Sequence, residues 1–188
     1  MPFAPVIHVE QELVRKIILC DQRAFKELFH LYYKRLCRFA FLFLQSKEVS
    51  EEVVSDVFFN IWGKREQLNP EGNIRSLLYT AVRNNAIDYR RGKTINIQDN
   101  INVYELKIED TETDTEIDIE LYQKRLQKSF DLLPDRCKMI ARLHFNDELS
   151  YKEIAEILKI SPYTVKAQIV IAINKIKDTF EKYGWNRE

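Results

Sequence analysis

Apolar residues recur along this chain at helical rather than strand spacing. Leu28, Leu31, Tyr32 and Leu36 fall at i, i+3, i+4 and i+8, and the stripe continues through Phe39 and Phe43. From Glu10 to Asn69 there is no proline and Gly63 is the only glycine, so this span has room for two or three long helices. Ser50 ahead of Glu51, Glu52 and Val53 reads as an N-cap with acids in the first turn. The next stripe is Val53, Val54, Val57, Phe58, Ile61 and Trp62, and the polar loop Asn69 to Asn73, with Pro70 and Gly72, ends it. Ile74 to Arg91 then reads as one more helix. Spacing residues at 100° puts Leu78, Val82 and Tyr89 on its buried side, and Ser76, Thr80, Arg83 and Arg90 outside, with Tyr79 and Ile87 among them.

Beyond Lys93 the helical stripe lapses. A second helical stretch starts near Ile117, where Leu121, Leu126 and Phe130 lead to Leu132, Leu133 and Pro134. Ser150 followed by Glu153 forms a capping box, with Ile154, Ala155 and Leu158 as the apolar side of the helix it opens. After a short turn at Lys159 and Ile160, Ser161 and Pro162 supply a second N-cap and a proline at the first helical position. Two short helices joined this way are a helix-turn-helix, whose second helix can enter a major groove. On that helix Val165, Ile169, Ala172, Ile173, Ile176 and Phe180 share the core-facing arc. Tyr163, Thr164, Ala167, Ile171 and Asn174 project outward, flanked by Lys166, Gln168 and Lys175. Tyr, Thr, Lys and Gln side chains can reach base edges or phosphates, and Ile171 can meet a thymine methyl.

Composition narrows the class. The 188 residues include 45% hydrophobic and 31% charged positions, enough for a core and against wholesale disorder, while 4 Gly and 5 Pro are too few for a many-stranded sandwich. Formal charge is zero, but nine acids stand against one base, Lys107, between Asp99 and Glu120. The flanking parts are correspondingly basic, which suits phosphate partners, and the acid-rich stretch reads as an extended linker. The expected fold is therefore all-α: two small helical domains, 10–93 and 117–184, joined by an acidic flexible linker at 94–116. Cys20, Cys37 and Cys137 show no CxxC pair and read as reduced core thiols. His8, His30 and His144 have no metal-ligand spacing, so neither metal nor other cofactor is expected. No leader pattern opens the chain and no apolar run is long enough to span a membrane, which points to the cytoplasm without direct membrane insertion. Without a Gly-rich phosphate loop, paired catalytic carboxylates or a nucleophile–His constellation, no enzyme and no small-molecule substrate is expected.

Both ends resemble one family. Leu133, Pro134, Asp135 and Arg136 through Lys177 resemble region 4 of bacterial RNA polymerase sigma factors. Asp21 through Arg91, including Glu51 to Phe58, Trp62 and Ser76 to Tyr89, resembles region 2. A chain carrying only these regions is similar to the extracytoplasmic-function (ECF) subfamily, which initiates transcription. The resemblance implies that the helix bearing Asp56 and Asn60 binds core RNA polymerase. It implies that the loop Asn69 to Asn73, with Arg75, Tyr79, Arg83, Asn84, Arg90 and Arg91, binds the promoter minus-ten element, Tyr79 stacking on an unpaired base. It further implies that Tyr163, Thr164, Lys166 and Gln168, with Lys175 nearby, read the minus-thirty-five element, and that an anti-sigma factor is a partner. Val170 and Ile171 are candidates to be covered by it. The linker fits either a positively lined polymerase channel or a solvated spacer. Two departures from the family pattern stand out: Ile171 replaces a basic residue, and Lys159 occupies a turn position that is often glycine. With few groove-facing cations, the free protein should bind DNA poorly.

Two other readings remain at this point. A LuxR-type regulator would account for Ser161 to Gln168 but not for the N-terminal half. A helical adaptor that binds only proteins, for instance an anti-sigma or sigma-mimic module, would not direct core polymerase to start at any promoter.

Overall fold

The computed structural model describes residues 4–93 and 117–183. Among them the chain is helical throughout, without a strand. It forms α1 (Ala4–Ile18), α2 (Gln22–Leu44), α3 (Lys47–Gly63), α4 (Ile74–Lys93), α5 (Ile117–Asp131), α6 (Asp135–Phe145), α7 (Tyr151–Leu158) and α8 (Pro162–Lys182), plus one 3-10 turn at Arg65–Gln67. Two compact units divide these helices, α1–α4 in one and α5–α8 in the other. The segment read as a linker, 94–116, lies outside the described residues.

In the first unit α2 is the central element, packed against α1, α3 and α4. Asp21 caps it by accepting from the amides of Arg23 and Ala24, and Leu28, Tyr32, Leu36, Phe39 and Ala40 line its buried side. Leu31, counted in that stripe from the sequence, is half exposed instead: α1, α3 and α4 claim the faces beside it. The cap of α3 is Ser46, whose hydroxyl accepts from Val49 N at 3.3 Å, and not Ser50. Ser50 sits one turn inside the helix, buried, and its hydroxyl donates to the Ser46 carbonyl at 2.6 Å. The chain enters the helix at Ser46 because Ser46 meets Glu48 and Val49 first. Phe25, Phe29, Phe58 and Trp62 form an aromatic cluster between α2 and α3.

In the second unit α8 is the long support on which α5, α6 and α7 pack. The capping box is present in full: Glu153 N donates to Ser150 Oγ, and Ser150 N donates to the Glu153 carboxylate at 2.7 Å. Ser161 caps α8, accepting from Thr164 N at 3.0 Å, with Pro162 in the first turn. The apolar side of α7 is Ile154, Ala155 and Ile157, with Leu158 only half buried. On α8, Val165, Ile169, Ala172 and Phe180 face the core. Ile176 is only half buried, and Ile173 does not face the core: at 48% exposed it joins Val170 and Ile171 outside.

Glycine is so scarce that left-handed turn positions fall to other residues: Cys20, Gln45, Glu148 and Lys159 all have positive φ. Cys20 is thereby exposed at the α1–α2 turn rather than in the core, whereas Cys137 is buried and Cys37 half buried. Burial pushes the Cys37 thiol up to about 11, so it is protonated at neutral pH. Lys159, at φ 55° and ψ 48°, closes α7 inside the helix-turn-helix, its amide donating to Ala155 and Glu156 carbonyls. A side chain in this region is disfavoured by about 1–2 kcal/mol, part of which glycine gives back through its freer unfolded chain. Lys159→Gly should therefore stabilise the α5–α8 unit by about 0.5–1 kcal/mol. Hydrogen exchange of the α7 and α8 amides checks it, and faster exchange in the variant would count against the assignment of strain there.

Candidate polymerase and nucleic-acid interfaces

Three surfaces carry the residues singled out in the sequence. The first is the outer side of α3. Val53, Val54, Val57, Phe58 and Ile61 turn inward, leaving Glu52, Ser55, Asp56, Phe59 and Asn60 in solvent. Asp56 and Asn60 thus stand on one exposed ridge. Between them is Phe59, 76% exposed, which the sequence reading passed over because it adjoins the buried Phe58. The signal was there: at 100° per residue Phe59 points about 160° away from Ile61. It offers a large apolar face to solvent beside an acid and an amide.

The second surface is the α3–α4 loop with the exposed side of α4. Asn69 Oδ1 accepts from Glu71 N at 3.0 Å, and Gly72 N donates to the Asn69 carbonyl at 3.0 Å, making a tight polar turn. A Cβ on Gly72 would lie 3.1 Å from that carbonyl oxygen, so glycine permits the approach. Asn73 then caps α4, its Oδ1 accepting from Ser76 N at 2.8 Å.

On α4 the structure corrects the sequence reading at three positions. Tyr79 is fully buried, its ring 5.1 Å from that of Phe39, and offers no face to a base. Arg75 is only 7% exposed and its charge acts on buried Tyr32, so it is not a surface cation. Ser76 is buried as well. The cause is the number of neighbours: α4 packs against α1, α2 and α3, and a helix so enclosed buries a wide arc that takes in Ile74, Arg75, Leu78, Tyr79, Val82 and Ala86. Arg83, Asn84 and Arg90 do reach the surface, partly exposed, and Arg91 is fully exposed. Arg83 Nη1 donates to Asn84 Oδ1 at 3.4 Å, and Arg91 lies 3.7 Å from Asp88. What remains is a basic and amide-bearing strip along the last turns of α4, with Tyr89 partly exposed among Arg83, Asn84 and Arg90.

The third surface is the outer side of α8. Tyr163 is 82% exposed, Lys166, Ala167, Ile171, Asn174 and Lys175 are exposed, and Thr164 and Gln168 are half buried. Thr164 Oγ1 lies 2.8 Å from Ser161 Oγ, so its hydroxyl is shared with the cap. Donors and acceptors along the first two turns of α8 match what base edges and phosphates offer. Charge there is modest, and Val170, Ile171 and Ile173 add an exposed aliphatic strip beside it.

Among the described residues no group of three or more His, Cys, Asp or Glu is placed to hold a metal ion, and no helix is long and apolar enough to cross a membrane. His144 is occupied structurally, its Nδ1 2.8 Å from the Leu149 carbonyl and its ring beside Phe145 and Tyr151.

Comparison with known proteins places these surfaces in a frame. Residues 28–94 match the family Sigma-70 region 2, and residues 123–176 match Sigma-70, region 4. The chain is 24% identical over 166 residues to the ECF RNA polymerase sigma factor SigW of Bacillus subtilis (strain 168), covering 83% of this chain and 88% of that protein. Its fold is similar to that of CnrH in complex with the cytosolic domain of CnrY, at a TM-score of 0.58 and 19% identity over 93% of this chain and 98% of the other. It is also similar to the sigma factor RpoE in complex with the anti-sigma factor NepR from Bartonella quintana, at a TM-score of 0.55 and 17% identity over 84% and 96% of the two chains.

Proposed function

The chain belongs to the sigma-70 family of RNA polymerase sigma factors, as an ECF-type promoter-recognising member, and from that premise we propose how its surfaces divide the work. The α3 ridge of Asp56, Phe59 and Asn60 docks core RNA polymerase. The loop 69–73 and the basic strip Arg83, Asn84, Arg90 and Arg91 hold the minus-ten element, amides and guanidinium planes taking an unpaired strand without any help from Tyr79. Tyr163, Thr164, Lys166 and Gln168, with Lys175 on the same helix, contact the minus-thirty-five duplex. The bond-making of RNA synthesis rests with the polymerase, and the protein works where the polymerase does, in the cytoplasm.

The observation that carries this reading is the order of the two family matches on two separate helical units, each with a polar, cation-bearing helix face turned to solvent. Neither face holds enough charge for tight binding alone. Fastened to one polymerase, each makes the other's encounter intramolecular, and the two weak contacts reinforce through effective concentration. An anti-sigma factor is the expected inhibitor, as one solved structure similar to this chain, RpoE of Bartonella quintana, is in complex with the anti-sigma factor NepR. The aliphatic strip Val170, Ile171 and Ile173 is a surface it can cover.

Protection and strand-opening assays on holoenzyme test the division. Arg83→Ala with Arg90→Ala should reduce permanganate reactivity of unpaired thymines about tenfold while upstream duplex protection persists. Lys166→Ala with Gln168→Ala should remove upstream protection first. Identical losses from both pairs would contradict separate roles.

A further inference from the structure

Helix α1 lies outside every motif that pointed to function, yet one of its residues bonds the loop 69–73 and another is buried against α2. Glu10 on α1, Tyr32 on α2 and Arg75 on α4 are all buried. The Tyr32 hydroxyl donates to the Glu10 carboxylate, and the Arg75 charge acts on the same phenol. Burial first, then the bond to Glu10, pushes the Tyr32 phenol well above its ordinary range, so it stays a donor at any physiological pH. Charges removed from water are tolerated only in a compensated arrangement, so the Tyr32–Glu10 bond fixes α1 against α2. Arg75 stands two residues beyond Asn73, the last residue of the loop.

The other grip is on the loop itself. Arg15, farther along α1, bonds Glu71 in the middle of the loop and lies 3.8 Å from Glu12 on its own helix. A carboxylate is a poor neighbour for a nucleic-acid backbone, and Glu71 is the only acid between Asn69 and Asn73. The Arg15 guanidinium neutralises it and draws it toward α1. With side chains 48% and 64% exposed, this pair adds little to stability. Its consequence is where the loop sits.

We propose that α1 braces the minus-ten loop, with Arg15 on Glu71 as the positioning contact for strand capture and the Tyr32–Glu10 bond holding α1 to α2. This rests on the reading above that the loop takes part in minus-ten recognition.

The test uses full-length chain in holoenzyme on a promoter located by start-site mapping, following strand opening by fluorescence of 2-aminopurine in the minus-ten element. Arg15→Glu, which sets a carboxylate beside Glu12 and Glu71, should slow opening about fivefold. It should also weaken discrimination against single-base changes in the minus-ten element, and leave core-polymerase affinity and melting temperature as in the unaltered chain. The swap Arg15→Glu with Glu71→Arg should restore opening to within about twofold while Glu71→Arg alone opens more slowly than the unaltered chain, which neither packing alone nor a new cation beside the strand would produce. Opening by Arg15→Glu at the unaltered rate, or a swap as slow as the single change, overturns the brace. A loop control separates the premises: if Asn69→Ala with Pro70→Ala leaves opening intact, the loop reading fails and the brace with it. If that pair slows opening while Arg15→Glu does not, the brace alone fails.

Discussion

Tyr79→Ala should unfold the α1–α4 unit rather than remove a DNA contact. The ring is fully buried and packs against Phe39, so its loss leaves a cavity in the middle of the unit, which destabilises by about 3–5 kcal/mol. That is a large part of the roughly 5–15 kcal/mol that holds a typical domain folded. Hydrogen exchange resolved by helix should show α2, α3 and α4 losing protection while α6, α7 and α8 keep theirs, since the two units fold around separate cores. Tyr79→Phe keeps the ring and should retain most of the stability. Should Tyr79→Ala stay fully protected and lose only strand opening, the ring would have to leave the core to meet DNA, and the buried placement would be wrong.

Phe59→Ala should have the opposite profile. The side chain is 76% exposed, so truncating it should change stability by no more than about 0.5 kcal/mol. If it is the anchor of the polymerase contact, affinity for core enzyme should fall about 100-fold, the range of a central aromatic hot spot. Asp56→Ala and Asn60→Ala flank it and should cost less, about tenfold each, since polar groups at a rim are partly replaced by water. Equilibrium titration of labelled full-length chain with core polymerase measures all three. Unchanged affinity in Phe59→Ala would remove the α3 ridge from the interface.

The helix-turn-helix was legible because its signals are local. Ser150 with Glu153 and Ser161 with Pro162 act within one turn of themselves, so the sequence displays both helix starts, and even the strained Lys159 turn, before any packing is considered. The surface residues of α8 followed from the same periodicity. Residues whose exposure depends on several neighbours were not legible. A single stripe per helix suffices for α8 over its first turns, but α4 is enclosed by three helices, and its buried arc swallowed Arg75, Ser76 and Tyr79. Ile173 fell the other way, exposed because among the described residues no helix covers that side of α8. The Glu10–Tyr32–Arg75 cluster and the Arg15–Glu71 pair join residues far apart in sequence, and no spacing rule links them. Phe59 was readable by angle alone, and the adjacency of Phe58 masked it.

The claim beneath these readings is that the chain gives core polymerase a promoter choice it otherwise lacks. Transcript start mapping with purified core polymerase on a genomic fragment library, with and without the full-length protein, measures this directly. The account predicts discrete new start sites, each preceded by the same pair of spaced elements and lost when Arg83 and Arg90 are replaced. Start profiles that are the same with and without the protein would contradict it.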